Sequence, residues 1–304
     1  MATRDIPNRA WAELGLLSLL WGGSFLAIRV ALDEIPVVTV VAFRVGLAAL
    51  VLWAYVAWRG LPVPRDPRVW GALAVMGLLN NLIPWPLLTW GQVHIETGLT
   101  SILNASTAVF GVLAAAVAFA DERLTARRAA GVGLGFAGVV LAIGPDALGG
   151  LDLRSAAQLA VIGASLSYAL AGVWARARLD LPPQVAAAGM LTCSSVVAIP
   201  AALWHDGLAI PRQADTWAAI GYFAVASTAL AYLLYFRVIR MAGSGNTALC
   251  TLAIAPVAIL LGAAFRDEAL VPTALAGFAL LALGLAIMDG RLLRPFRRAA
   301  TRAP

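Results

Sequence analysis

The sequence contains no lysine, and all 22 of its basic residues are arginine. A Walker A loop needs Lys to reach the β- and γ-phosphates, and Schiff-base chemistry needs a Lys amine, so neither is open to this chain. Charge of either sign is scarce. Only 12% of the 304 residues are charged and 61% are hydrophobic, whereas a soluble domain is about a quarter charged and about half apolar. With a mean hydropathy of +0.85, a water-facing surface cannot be assembled, and an integral membrane protein is expected. The two cysteines, Cys193 and Cys250, both lie in apolar runs, which excludes a disulfide framework and a four-ligand zinc site. The 28 Gly and 16 Pro show no collagen period and no low-complexity tract.

A membrane-spanning helix needs about 20 mostly apolar residues. Ten such runs stand between charged or turn-rich punctuation: 11–32, 36–58, 69–91, 97–120, 127–144, 155–175, 184–204, 216–236, 246–265 and 271–289. The connections are too short for an extramembrane domain, so function is expected within the membrane. The first run is too long for a signal-peptide core and is followed by no small-residue cleavage site, so it is expected to remain. With a cytoplasmic N-terminus, 17 arginines fall in inner segments, three in outer connections (Arg154, Arg212, Arg266) and two inside spans (Arg29, Arg44). This asymmetry places both termini in the cytoplasm of a multi-pass inner-membrane protein. It also accounts for the basic balance through anionic lipid rather than nucleic acid.

The two halves align at a shift of 147 residues. Pro36 meets Pro183, Trp70 meets Trp217, Gly98 meets Gly245 and Thr100 meets Thr247. At a shift of 146, DERLTARRAAG (121–131) meets DEALVPTALAG (267–277), and Gly138 meets Gly284. Two repeats are therefore expected, 1–150 and 151–304. Each holds five spans, and because five is odd the second copy must run inverted. Arg123, Arg127 and Arg128 are accordingly replaced by Ala269, Thr273 and Ala274 in the opposite copy. Inverted repeats enclosing a midplane site are a hallmark of secondary transporters with alternating access.

Ten spans as five plus five, LLWGGSFLAIRVAL (19–32) followed by VAFR (41–44), and the acidic DE before a glycine-spaced fifth or tenth helix resemble the EamA family of the drug/metabolite transporter superfamily. The resemblance covers nearly the whole chain and implies an all-α fold of two inverted five-helix repeats. The aromatic content and the run NNLIPWPLLTW (80–90) resemble, more narrowly, the YddG-type exporters of aromatic amino acids. The ninth span carries the family's usual proline, Pro256, but the fourth has Val109 or Phe110 in its place.

A site on the pseudo-two-fold axis should be lined by equivalent positions of both halves. At the 147-residue shift Trp21 pairs with Tyr168, Trp85 with Tyr232, Asn80 and Asn81 with Ser227 and Thr228, and Asn104 with Thr251. Trp and Tyr normally sit at membrane interfaces, as Trp11, Trp58, Trp70, Trp204 and Trp217 are placed to do. Those at depth point to an aromatic-walled cavity with a few amides and hydroxyls, or else to interhelical packing. Asn80, Asn81, Pro84 and Pro86 lie within seven residues of the third span. Helix interruption there is tolerated where it lines a wet cavity, although a simple kink is the alternative. Arg44 lies about 12 Å from the outer end of its span, where a charge is a functional candidate. It could receive a substrate carboxylate or make structural hydrogen bonds, whereas Arg29 can snorkel. No acid or histidine lies at the midplane, which disfavours a buried proton relay. Gly131, Gly135, Gly138, Gly277 and Gly284 permit close helix packing, within the chain or in a dimer.

Together these features predict a secondary exporter of amino acids, aromatic and other neutral ones, or of similar small metabolites. Sugar phosphates, nucleosides and drug-like compounds are the alternative substrates. An embedded enzyme or a scaffold is less well supported. The reading calls for a small-molecule substrate and membrane lipid, with no catalytic residue, metal, cofactor or nucleic acid, and a monomer suffices.

Overall fold

A computed structural model describes residues 6–289 apart from 96, 153–154, 208 and 267–270. Arg4, Glu96, Arg154, Asp267, Glu268 and the arginines from Arg291 onward therefore lie outside the described residues. Among the described residues the chain forms ten apolar helices. The first five are α1 (Asn8–Leu32), α2 (Val37–Trp58), α3 (Pro67–His94), α4 (Thr97–Ala118) and α5 (Ala126–Ile143). A short 3-10 turn, Pro145–Gly150, leads to the second five. These are α6 (Ala156–Arg178), α7 (Pro183–Asp206), α8 (Ala214–Ala242), α9 (Ser244–Thr247, resuming as Cys250–Arg266) and α10 (Ala274–Asp289). Among the described residues nine are long and apolar enough to cross a membrane, and the tenth, Ala274–Met288, is shorter.

The boundaries have local causes. Asp66 precedes Pro67 at the start of α3, and its carboxylate accepts the Arg68 amide at 2.8 Å, which satisfies one donor that a first turn leaves open. Thr125 does the same at α5, accepting the Arg128 amide at 3.2 Å. Between α8 and α9 the chain turns at Gly243 with φ +92°, and a Cβ there would meet Glu122 Oε1 at 2.6 Å. Only glycine satisfies both demands.

The packing repeats the sequence duplication. The pair α1 on α9 is matched by α6 on α4, and α3 on α6 by α8 on α1. Likewise α3 on α7 is matched by α8 on α2, while α2 meets α7 and α5 meets α10 across the axis. Smaller features repeat as well. Trp70 Nε1 donates to Pro64 O at 2.8 Å, and Trp217 Nε1, 147 residues later, donates to Pro211 O at 3.1 Å. The glycine stripes close the α5–α10 pair inside the chain: a Cβ on Gly138 would lie 2.5 Å from Leu281 N, and one on Gly277 2.3 Å from Ala142 N. Trp58 and Trp204 are 76% and 91% exposed, as residues facing lipid at the span ends should be.

The third helix departs from the expected interruption. It does not unwind at its prolines but widens by one residue over Leu78–Leu82, where the Ile83 amide reaches back five residues to Leu78 O at 3.0 Å. A similar wide turn occupies Val225–Leu230 in α8, starting at the same 147-residue shift, and contains no proline. Proline is therefore not the cause. Each turn instead carries two adjacent polar residues, Asn80–Asn81 and Ser227–Thr228, buried by partners from other helices. Such π turns are frequent at functional sites.

Candidate functional site

A cavity of about 780 Å³, counted with its open part, lies between the two halves. Its lining is strongly paired by the duplication: Trp21 with Tyr168, Phe25 with Gly172, Trp85 with Tyr232, Leu88 with Tyr235, Asn104 with Thr251, and Thr107 with Ile254. A cavity whose wall repeats at the sequence shift sits on the pseudo-two-fold axis.

Aromatic rings build the wall. Trp85 and Tyr232, equivalent in the two halves, stack at 6.4 Å with an interplanar angle of 18°. Trp21 meets Tyr232 edge-on at 6.2 Å and Tyr235 at 5.9 Å. Their polar tips are held, as aromatics buried at depth require. Trp21 Nε1 donates to Ser227 O at 3.0 Å, the Tyr232 hydroxyl donates to Asn81 Oδ1 at 2.7 Å, and Tyr168 bonds Trp85.

Arg44 enters this wall from α2 and is only 7% exposed. Its Nε donates to Thr228 Oγ1 at 3.0 Å and its Nη2 to Ser227 Oγ at 3.1 Å, while the guanidinium carbon lies 3.9 Å from the Trp85 ring centre. These partners are neutral, and no carboxylate pairs with Arg44 among the described residues. A buried cation without a counterion is costly. Hydroxyls and an aromatic face offset part of that cost, and an arriving anionic group would offset more.

Of the residues singled out from sequence, Trp21, Arg44, Asn80, Trp85, Asn104, Tyr168 and Tyr232 line the cavity. Asn81, Ser227 and Thr228 stand one layer behind, each fully buried. Asn81 donates to Ser194 at 2.8 Å and accepts from Tyr232, while Ser227 and Thr228 hold Arg44 and Trp21. They orient the wall rather than form it, through the hydrogen bonds they make to Tyr232, Arg44 and Trp21. The lining residues Ser24, Phe25, Thr107 and Tyr235 carried no sequence signal, since their counterparts in the other half are apolar or small, and Thr247, matched by Thr100, marked the duplication without marking the site. Arg29 is exposed, as a snorkelling residue would be.

The arginine-rich end is tied by ion pairs between the halves. Glu13 of α1 binds Arg237 of α8. Glu122, fully buried just beyond α4, binds Arg176 of α6 and lies 3.6 Å from Arg128 of α5. The same carboxylate accepts the Ser244 amide at 2.9 Å and the Gly245 amide at 2.8 Å, which seats the start of α9 on a negative charge. Ser244 lines the cavity, so Glu122 holds one of its lining residues in place. At the opposite end the ties are backbone amides of Arg212 and Gln213 on Glu34, and Thr39 on Asp206. The Thr216 side chain and then those two amides hold the Glu34 carboxyl below the usual carboxylate range.

The model of the EamA-like transporter family matches the chain twice, over residues 11–144 and 155–288. The chain belongs to that family. It is a multi-pass membrane transporter of the drug/metabolite superfamily, built from two EamA halves, and not an enzyme. It is 30% identical over 300 residues to a Streptantibioticus cattleyicolor protein named "Probable terminal-alkyne amino-acid exporter", covering 97% of this chain and 98% of that one. It is 22% identical over 263 residues to the Escherichia coli inner membrane transporter YedA, covering 86% and 84%. A crystal structure at 19% identity superposes with a TM-score of 0.78 over 94% of this chain and 98% of that one, which shows a shared fold.

Proposed function

We propose that this transporter exports amino acids, aromatic and other neutral ones among them, by alternating access through the cavity between its halves. The observation that carries the reading is Arg44, a buried cation without a counterion in a wall of aromatic rings. A carboxylate can complete the guanidinium's hydrogen bonds, while an apolar or aromatic side chain packs on Trp21, Trp85, Tyr168 and Tyr232. The likeness to a named amino-acid exporter points the same way. Phosphorylated substrates fit less well, because they call for clustered cations and Arg44 is the one charged residue lining the cavity among the described residues. The arginine-rich end faces the cytoplasm in this reading, so substrate enters there when the Glu13 and Glu122 ties open. Proteoliposomes loaded with a panel of radiolabelled amino acids test it: efflux of Phe, Trp or Leu that the Arg44→Gln variant loses supports the assignment, and no efflux of any member refutes it.

A further inference from the structure

The α4 wall holds two polar atoms that the fold leaves unused. Asn104 Oδ1 and Thr107 Oγ1 are buried with no hydrogen-bond partner among the described residues, and both residues border the cavity. The residues themselves are 5% and 3% exposed. Burying an acceptor unpaired is unfavourable, and native proteins avoid it unless something else supplies the donor. The two residues are three apart on one helix and therefore share a face. The backbone there is pinned from the other half, where Ser165 Oγ donates to Leu103 O at 3.1 Å and approaches Asn104 O at 3.4 Å. Their position is thus imposed by the fold.

Depth relates them to Arg44. Helices α2 and α4 cross in the same direction, and Arg44 and Asn104 each lie seven residues past the first residues of their helices, Val37 and Thr97. At ~1.5 Å per residue both sit about 11 Å in. They belong to different walls, since α2 packs on α7 and α8 whereas α4 packs on α5, α6 and α9. One level of the cavity thus presents a cation on one wall and two spare acceptors on another.

We infer that Asn104 and Thr107 form an ammonium subsite, which with Arg44 makes the cavity selective for α-amino acids over plain carboxylates of the same shape. The inference rests on the amino-acid reading above and adds the group that recognises the amine. A substrate ammonium donates to Asn104 Oδ1 and Thr107 Oγ1 while the carboxylate meets Arg44. The rest of the molecule lies on the aromatic wall, which leaves side-chain choice loose and head-group choice strict.

Phe and 3-phenylpropionate, which differ by the amine, are the probes, measured as binding to the purified full-length protein. The wild type is expected to prefer Phe by roughly ten- to a hundredfold, the worth of hydrogen bonds to a charged donor. Asn104→Leu and Thr107→Val should each collapse much of that preference, read as the ratio of Phe to 3-phenylpropionate affinity, and Asn104→Asp, which keeps an acceptor, should retain it. A full preference for Phe in both folded variants overturns the subsite. Equal wild-type binding of the two probes also overturns it while leaving the carboxylate on Arg44 intact. Wild-type binding of neither probe removes the amino-acid reading itself.

Discussion

Glu122→Gln isolates the tie at the arginine-rich end. The carboxylate is wholly buried, accepts two amides of the α9 start and neutralises Arg128 and Arg176. Removing one partner of a buried pair costs about 3–5 kcal/mol. Arg176 retains Asp121 at 2.6 Å and is partly solvated, so the lower figure applies. About 3 kcal/mol is roughly a hundredfold in an equilibrium constant. Glu122 belongs to the first half and Arg176, Ser244 and Gly245 to the second, so the loss falls on the arrangement in which the halves meet at this end. Cys250 is the native reporter, a buried thiol lining the cavity. With Cys193→Ala to silence the other thiol, a membrane-impermeant maleimide applied from the arginine-rich side should label Cys250 slowly. In Glu122→Gln the rate should rise by about one to two orders of magnitude, the span such a population shift allows. Unchanged labelling together with a lower melting temperature would refute the argument, because Glu122 would then support the fold without closing the cavity.

Replacing Trp85 or Tyr232 by Ala removes a stacking face worth about 0.5–1.5 kcal/mol, so binding of Phe should weaken about two- to tenfold more than binding of Thr, measured on folded protein. Tyr232→Phe deletes only the hydroxyl that meets Asn81 at 2.7 Å; it should cost about 1 kcal/mol of stability and leave Phe affinity nearly unchanged. Gly138→Leu forces side-chain volume against the α10 backbone at Leu281, and thermal unfolding in detergent should show a loss of at least about 1–3 kcal/mol. Glu34 has its carboxyl held below the usual range in the folded state. Its contribution is thus present at neutral pH and lost as pH falls through that depressed value, so the wild type and Glu34→Gln should differ in melting temperature at pH 7 and converge in strong acid.

The aromatic pairs of the site were legible in the sequence because both copies kept a ring. Trp21 and Tyr168, like Trp85 and Tyr232, announce themselves as large residues at depth that a lipid-facing helix would not place there. Tyr235 and Thr107 escaped because their counterparts, Leu88 and Ile254, are ordinary apolar residues. Asn81, Ser227 and Thr228 were visible as polar residues at depth, but not their place behind the wall. A wide turn takes in one residue more than a regular turn, and a wheel drawn at constant pitch does not contain that extra residue. Glu122 read as a connection residue because it lies past the end of an apolar run. Its burial depends on Arg128, Arg176 and the α9 amides arriving from elsewhere in the chain. Helix count, by contrast, comes from the length and composition of the apolar runs and the duplication from residues matched at a fixed shift, and the match of the family model to both halves agrees with them.

The two wide turns make the chain tolerant of a length change in two short windows. Each holds one residue more than an ordinary helix would need to cover the same rise. Deleting a single residue from 78–82 would let α3 close into regular geometry at little local cost. A π turn takes up its extra residue within the rotation of one ordinary turn, so everything beyond the deletion would keep its direction. Trp85 and Leu88 would stay on the cavity wall, and the loss would fall on the window itself, where Asn80 and Asn81 are held. The same deletion in 225–230 would leave Tyr232 and Tyr235 in place. A three-base loss from another part of either helix has no such slack and turns the remainder of that helix by about 100°.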